Sequence, residues 1–126
     1  MTIGGVVYPD PGFVTVMAVT WPPPLIVEVA VAGLWHLGPV TAACLAAAGH
    51  DVLGFDPDSV LIENLKKNEA PIYEPGLNEL IAQGNRAGKL SFSHDPREIT
   101  GAEIVWITFD TPVDDNDVAD VDFVIN

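Results

Sequence analysis

Basic side chains are scarce in this chain. Lysine and arginine together number 5 against 18 aspartates and glutamates, for a formal net charge of −13. A nucleic-acid partner needs cations to displace counterions from its phosphates, and an anionic membrane surface makes the same demand, so neither partner is expected. A small anionic ligand is still admitted, because backbone N–H groups at a helix start hold phosphate without lysine. Cysteine occurs once, as Cys44, which rules out an internal disulfide and fits a reducing cytoplasm. The three histidines, His36, His50 and His94, stand far apart and have no zinc-ligand spacing. No apolar run approaches the roughly 20 residues of a membrane helix. The apolar stretch 13–21 is short and no basic region precedes it, so neither a signal peptide nor an anchor is expected.

What is present is enough for one core: 126 residues, 48% of them hydrophobic. Residues 1–24 carry five of the 11 prolines, including Pro22, Pro23 and Pro24, and read as a stiff N-terminal extension with one loose strand over 13–20. Residues 25–126 form the folded unit. A near-continuous apolar run over 25–32 suits a parallel strand buried on both faces. A helix follows over 38–48, with Val40, Ala43, Cys44 and Ala47 as its core-facing stripe and Gly49 as its stop. A second strand spans 51–56, and Asp58 caps a second helix in which Glu63 and Lys67 pair at i, i+4.

A rigid turn over 71–76 leads into a third helix that begins near Leu77, with Leu77, Leu80 and Ile81 on one face and Gly88 past its end. A short strand occupies 90–93. Asp95, Pro96 and Glu98 have the form of a capping box opening another helix, and 103–109 is a last apolar strand containing a core Trp106. Strands alternating with helices at this spacing imply parallel βαβ units.

The motif with chemical content lies between the first strand and the first helix. Gly33, Leu34, Trp35, His36, Leu37 and Gly38 stand where a dinucleotide fingerprint G-x-G-x-x-G belongs. In that fingerprint the first glycine makes the tight turn, the second lets a pyrophosphate approach bare backbone, and the third lets helix pack on strand. The first and third are kept here as Gly33 and Gly38, while the second is Trp35. The second strand ends at Asp56, 23 residues after Gly33, near the offset at which a carboxylate meets the adenosine ribose hydroxyls. A carboxylate there repels a 2′-phosphate, which favours NAD over NADP. The expected fold is therefore α/β, a Rossmann-like doubly wound parallel sheet with helices on both faces, incomplete at its C-terminus because no further helix and strands follow the last strand.

The sequence resembles the UDP-glucose/GDP-mannose dehydrogenase family of nucleotide-sugar dehydrogenases. The resemblance runs over about 27–124 and rests on the glycine turn, the segment 48–56, the block Pro71, Ile72, Tyr73, Glu74, Pro75, Gly76 and Leu77, and Thr111 with Pro112 after the last strand. The block at 71–77 is the most specific element, since a generic Rossmann domain has no reason to contain it. The resemblance implies oxidation of the C6 alcohol of a UDP- or GDP-linked hexose to a carboxylate with two NAD molecules. It places Gly33 to Gly38 at the pyrophosphate, Asp56 at the ribose, and the Asp110, Thr111, Pro112 turn against the cofactor. Leu61 stands where the family often has a basic residue, and His36 where it usually has tyrosine. The family's catalytic cysteine, lysine and asparagine belong to later domains, so no residue of this chain is assigned a catalytic role. Cys44 reads as a buried structural thiol.

Other candidates have plainer readings. Asp110, Asp114, Asp115, Asp117, Asp120 and Asp122 lack the glycine and glutamate of a calcium loop and read as a solvated acidic segment, so no metal is expected. Tyr73 and Glu74 belong to a proline-stiffened turn, and His50 to the surface. Two alternatives remain open: a catalytically silent nucleotide-binding or regulatory module, and a truncated, non-functional product that folds poorly and whose exposed sheet edge invites association. Separately, a homo-oligomer is admitted as a partner state.

Overall fold

The computed structural model describes residues 25–126, together with the backbone of a small ladder in which β1 (Thr2–Ile3) pairs antiparallel with β2 (Val6–Val7). The strand expected over 13–20 lies outside the described residues. From there the chain runs β3 (Glu28–Ala32), α1 (Leu37–Ala47), β4 (Asp51–Phe55), α2 (Ser59–Lys66), α3 (Leu77–Arg86), β5 (Leu90–Ser93), a 3-10 helix (Pro96–Gly101), β6 (Ile104–Ile107) and α4 (Val121–Ile125). Strands β3 to β6 form one parallel sheet in the order β5-β4-β3-β6. The chain therefore steps outward from β3 to β5 and then crosses back to the other side of β3. The reversal leaves a crevice at the carboxyl ends of β3 and β6, the switch point at which open α/β sheets hold ligands.

Register decides which side chains meet. Val29, Val52 and Leu90 are aligned, as are Val31, Gly54 and Phe92, so they share one face of the sheet. That face packs on Ala42, Ala43 and Ala46 of α1, Leu61, Ile62 and Leu65 of α2, and Leu77 and Ile81 of α3. Each large side chain buried there stabilises the fold by about 1.5–3 kcal/mol. Small residues bring the layers close. A methyl group at Gly54 would stand 2.6 Å from the Phe92 ring, and one at Gly84 would stand 2.8 Å from Leu90.

Several expectations are corrected. The buried stripe of α1 is Pro39, Ala42, Ala43 and Ala46, one position back from the expected set, so Cys44 and Ala47 face outward and Cys44 is an exposed thiol. The helix is apolar nearly all round, and its periodicity does not select a face; the small alanines do, because they fit closely against sheet and α3. The first strand begins at Glu28 rather than residue 25, since its neighbours' registers reach only to Asp51 and Ile104. Glu63 pairs with Lys66 at 3.3 Å, not with Lys67, because α2 ends at Lys66 and Lys67 is its C-cap.

His50 is half-buried, and its Nδ1 accepts the Val27 N–H at 3.3 Å. Asp95 does cap a helix through Arg97 N, but the helix is 3-10 and buries no residue. Its Glu98 carboxylate accepts the Ser93 hydroxyl instead of closing a capping box on the Asp95 N–H. Trp106 is not core: Ile104, Val105, Trp106 and Ile107 are 47–57% exposed, because β6 is an edge strand beyond the reach of the helices that cover β3, β4 and β5. Among the described residues no helix is long and apolar enough to cross a membrane.

Candidate functional site

The ends of β3, β4 and β6 converge on the turn at 33–38. Gly33 has φ +100, a conformation that costs an L side chain about 1–2 kcal/mol. A Cβ there would also stand 2.6 Å from the Phe109 amide nitrogen. Its own N–H donates to the Phe55 carbonyl at 2.9 Å, tying the turn to the end of β4. At Gly38 a Cβ would collide with the Gly33 carbonyl oxygen. The two retained glycines thus do what the fingerprint requires of its first and third positions: one turns the chain, the other lets α1 start against the strand.

The intervening residues divide by role. Leu34 is fully buried, its side chain lying beside Gly54 in the core. Trp35, His36 and Leu37 are exposed. Trp35 does not have a positive φ, so the backbone makes no demand for glycine there, and its side chain is 60% exposed. His36 precedes α1 at its N-cap and makes no side-chain capping bond, and the first turn of α1 contains no acidic residue. The first-turn N–H groups of Leu37 and Gly38 are therefore free of a side-chain cap, and Pro39 has no N–H to offer.

Asp56 follows β4 and is 7% exposed. One carboxylate oxygen accepts the Leu34 N–H at 2.9 Å and the other accepts the Asp58 N–H at 3.0 Å. An ionised carboxylate has about four lone-pair sites, so two remain for further donors such as ribose hydroxyls.

The structure thus bonds Gly33 and Leu34 to the end of β4 and Asp56, with Gly38 packed against the Gly33 carbonyl. Asp110, Thr111 and Pro112 are exposed, and among the described residues they make no hydrogen bond to the glycine turn; the Pro112 carbonyl accepts the Asp120 N–H at 2.7 Å. Sequence reasoning missed Thr108. Its hydroxyl lies 2.5 Å from the Gly33 carbonyl oxygen and 3.2 Å from that of Ala32, clamping β6 to the turn. The available signal was a single hydroxyl closing an otherwise apolar strand.

The outer face of α1 and the start of α3 enclose a groove of about 420 Å³ lined by His36, Leu37, Val40, Cys44, Glu74, Pro75, Gly76, Leu77 and Leu80. This places the end of the 71–77 block beside the glycine turn. Leu61 is buried in the core, so the position where the resemblance implies a basic residue has no charge to offer. Among the described residues no group of three histidine, cysteine, aspartate or glutamate side chains could hold a metal ion.

The cradle fits a dinucleotide in its two glycines, its uncapped helix start and its strand-end carboxylate. Comparison with known proteins agrees. Residues 27–126 match the family model described as the UDP-glucose/GDP-mannose dehydrogenase family, NAD binding domain. A GDP-mannose 6-dehydrogenase of Pseudomonas aeruginosa is 34% identical over 98 residues, covering 77% of this chain and 22% of that protein. A UDP-glucose 6-dehydrogenase of Bacillus subtilis is 35% identical over 98 residues, covering 77% and 21%.

Among solved structures, a ternary complex of the P. aeruginosa GDP-mannose dehydrogenase superposes with a TM-score of 0.72 at 34% identity, over 76% of this chain and 22% of that one. A UDP-glucose dehydrogenase from Pyrobaculum islandicum gives 0.74 at 32%, over 79% and 23%. The chain spans about a fifth of the length of the curated relatives it matches. It belongs to the UDP-glucose/GDP-mannose dehydrogenase family, of which it carries the NAD-binding domain.

Proposed function

We propose that this chain serves as the cofactor-holding part of a nucleotide-sugar dehydrogenase that oxidises the C6 alcohol of a UDP- or GDP-hexose to a carboxylate. The observation that carries this reading is the junction of the glycine turn with Asp56, beside a helix start that no side chain caps. Backbone N–H groups from Trp35, His36, Leu37 and Gly38 face the pyrophosphate, where the positive end of the α1 dipole favours negative charge. Gly33 and Leu34 shape the turn itself. Asp56 accepts the adenosine ribose hydroxyls with its remaining lone pairs, and the Asp110, Thr111, Pro112 turn lies against the cofactor.

When bound, NAD supplies a hydride acceptor. The chain's own residues bind and orient it, and the groups that act on carbon 6 of the sugar belong to parts of such an enzyme outside this chain. An exposed Cys44 thiol suits a reducing compartment such as the cytoplasm.

Titrating the purified chain with NADH and reading the nicotinamide fluorescence tests this reading. Saturable binding that NADPH matches only at about tenfold higher concentration is expected, from the repulsion between the Asp56 carboxylate and a 2′-phosphate. No binding at millimolar NADH overturns it. A second reading, a catalytically silent nucleotide-binding module, is favoured by the buried, uncharged Leu61. That module binds NADH equally well but gives no turnover on UDP-glucose or GDP-mannose when joined to the catalytic segment of a relative.

A further inference from the structure

Resting on the reading of the turn as a dinucleotide site, we infer that Trp35 screens the helix start from the diphosphate, so that it sets how tightly this chain binds any ligand carrying one. The fold gives no reason for the indole. Position 35 has no positive φ, and its side chain is 60% exposed rather than packed in the core, unlike the adjacent and fully buried Leu34. The glycines on either side are sterically compelled, since a Cβ at Gly33 or Gly38 meets backbone. Position 35 is thus the one glycine of the fingerprint whose role is access alone, and here access is obstructed by the largest side chain available.

The supply of phosphate-binding donors makes the obstruction matter. The Leu34 N–H is spent on Asp56, Pro39 has none, and no lysine or arginine stands in the turn at 33–38, in 56–62 after β4 or in 108–112 after β6. A diphosphate can reach only the few N–H groups between Trp35 and Gly38, the segment whose first residue carries the exposed indole. A ligand without phosphate does not meet this obstacle.

The experiment compares wild type, Trp35→Gly, Trp35→Ala and Trp35→Phe by calorimetric titration with NADH, ADP-ribose and adenosine, after confirming matched thermal melts. Trp35→Gly and Trp35→Ala are expected to bind NADH and ADP-ribose about 10- to 100-fold more tightly, the gain from one or two recovered hydrogen bonds to a charged oxygen. Adenosine should change by less than about twofold, and Trp35→Phe should stay close to wild type. Unchanged or weaker NADH binding in Trp35→Gly and Trp35→Ala, with wild type still binding, overturns the role of Trp35 while leaving the cofactor reading intact. An equal gain for adenosine overturns it too, because the obstruction would then not be at the phosphates. If no variant binds any of the three at millimolar concentration, the cofactor reading and this inference fall together.

Discussion

The Asp56 carboxylate accepts the Leu34 backbone N–H at 2.9 Å, joining the end of β4 to the inside of the glycine turn across 22 residues. On the proposed reading the same group also receives the ribose of the cofactor, so its loss combines two effects. Asp56→Asn keeps one acceptor oxygen but turns an NH2 toward a backbone donor, leaving a buried N–H unsatisfied at a cost of about 1–3 kcal/mol. A lower midpoint in urea unfolding is expected, together with weaker NADH binding and an NADPH-to-NADH affinity ratio that moves toward one. A stable Asp56→Asn variant that still prefers NADH would remove Asp56 from both roles.

Gly33 and Gly38 separate conformation from contact. Gly38→Ala introduces only a methyl group, yet it is aimed at the Gly33 carbonyl oxygen, a backbone atom that cannot swing aside. Displacing α1 to accommodate it costs about 1–3 kcal/mol. Gly33→Ala adds the strain of φ +100 to a looser contact, 2.6 Å from the Phe109 nitrogen, so Gly38→Ala, whose methyl overlaps a backbone oxygen outright, should be the worse of the two. Thermal melts of both variants check the order. Gly49→Ala is the comparison: φ is again +100 but nothing lies within 4 Å of the added Cβ, so strain alone acts.

Thr108 offers a test of the clamp between β6 and the turn. Thr108→Val keeps the shape and removes the hydroxyl bonded to the Gly33 carbonyl, at a cost of about 1 kcal/mol. Thr108→Ser should recover most of that loss. Amide hydrogen exchange at Thr108 and Phe109 is the sensitive readout, because the β6 edge is where opening is cheapest.

What the sequence discloses follows the contrast between neighbouring residues. The strand at 90–93 was readable to the residue because Gly88 and Asp95 bracket it. The family likeness, the parallel sheet and NAD as cofactor were equally legible from 33–38, Asp56 and 71–77. The facing of α1 was not, since a helix with a single polar side chain, Thr41, offers no boundary between its faces. Trp106 misled for a different reason: an apolar strand looks the same whether or not a layer covers it, and only the strand order places it on the edge. The Asp56 carboxylate stood out in the sequence as a candidate ligand group, but its bond to Leu34 depends on how the turn closes in three dimensions.

Asp95 and Arg97 supply a pH-dependent test away from the site. The Arg97 guanidinium hydrogen-bonds the Asp95 side chain and, with the Arg97 N–H, holds that carboxyl below the ordinary aspartate value. A carboxyl lowered by folding contributes stability above its unfolded pKa, and that contribution disappears as pH falls through the lowered folded value. In an NMR titration Arg97→Gln should move the Asp95 midpoint back up toward the ordinary range. Both groups lie at the surface, so the effect on the melt should be small.

The last prediction concerns β6, whose outer edge has no strand partner among the described residues and whose four side chains are half exposed. Such an edge is a template for pairing with another chain. Opposing this is the formal charge of −13, which makes copies repel at long range. The two forces differ in their response to salt: at about 1 M the Debye length shrinks to about 3 Å, removing the repulsion while leaving the apolar edge unchanged. Sedimentation should therefore show association that rises with both protein concentration and sodium chloride. Val105→Lys, which puts a charge in the middle of the edge, should abolish it without lowering the melting temperature. Association that instead weakens with salt would mean that charged groups, not β6, hold the copies together.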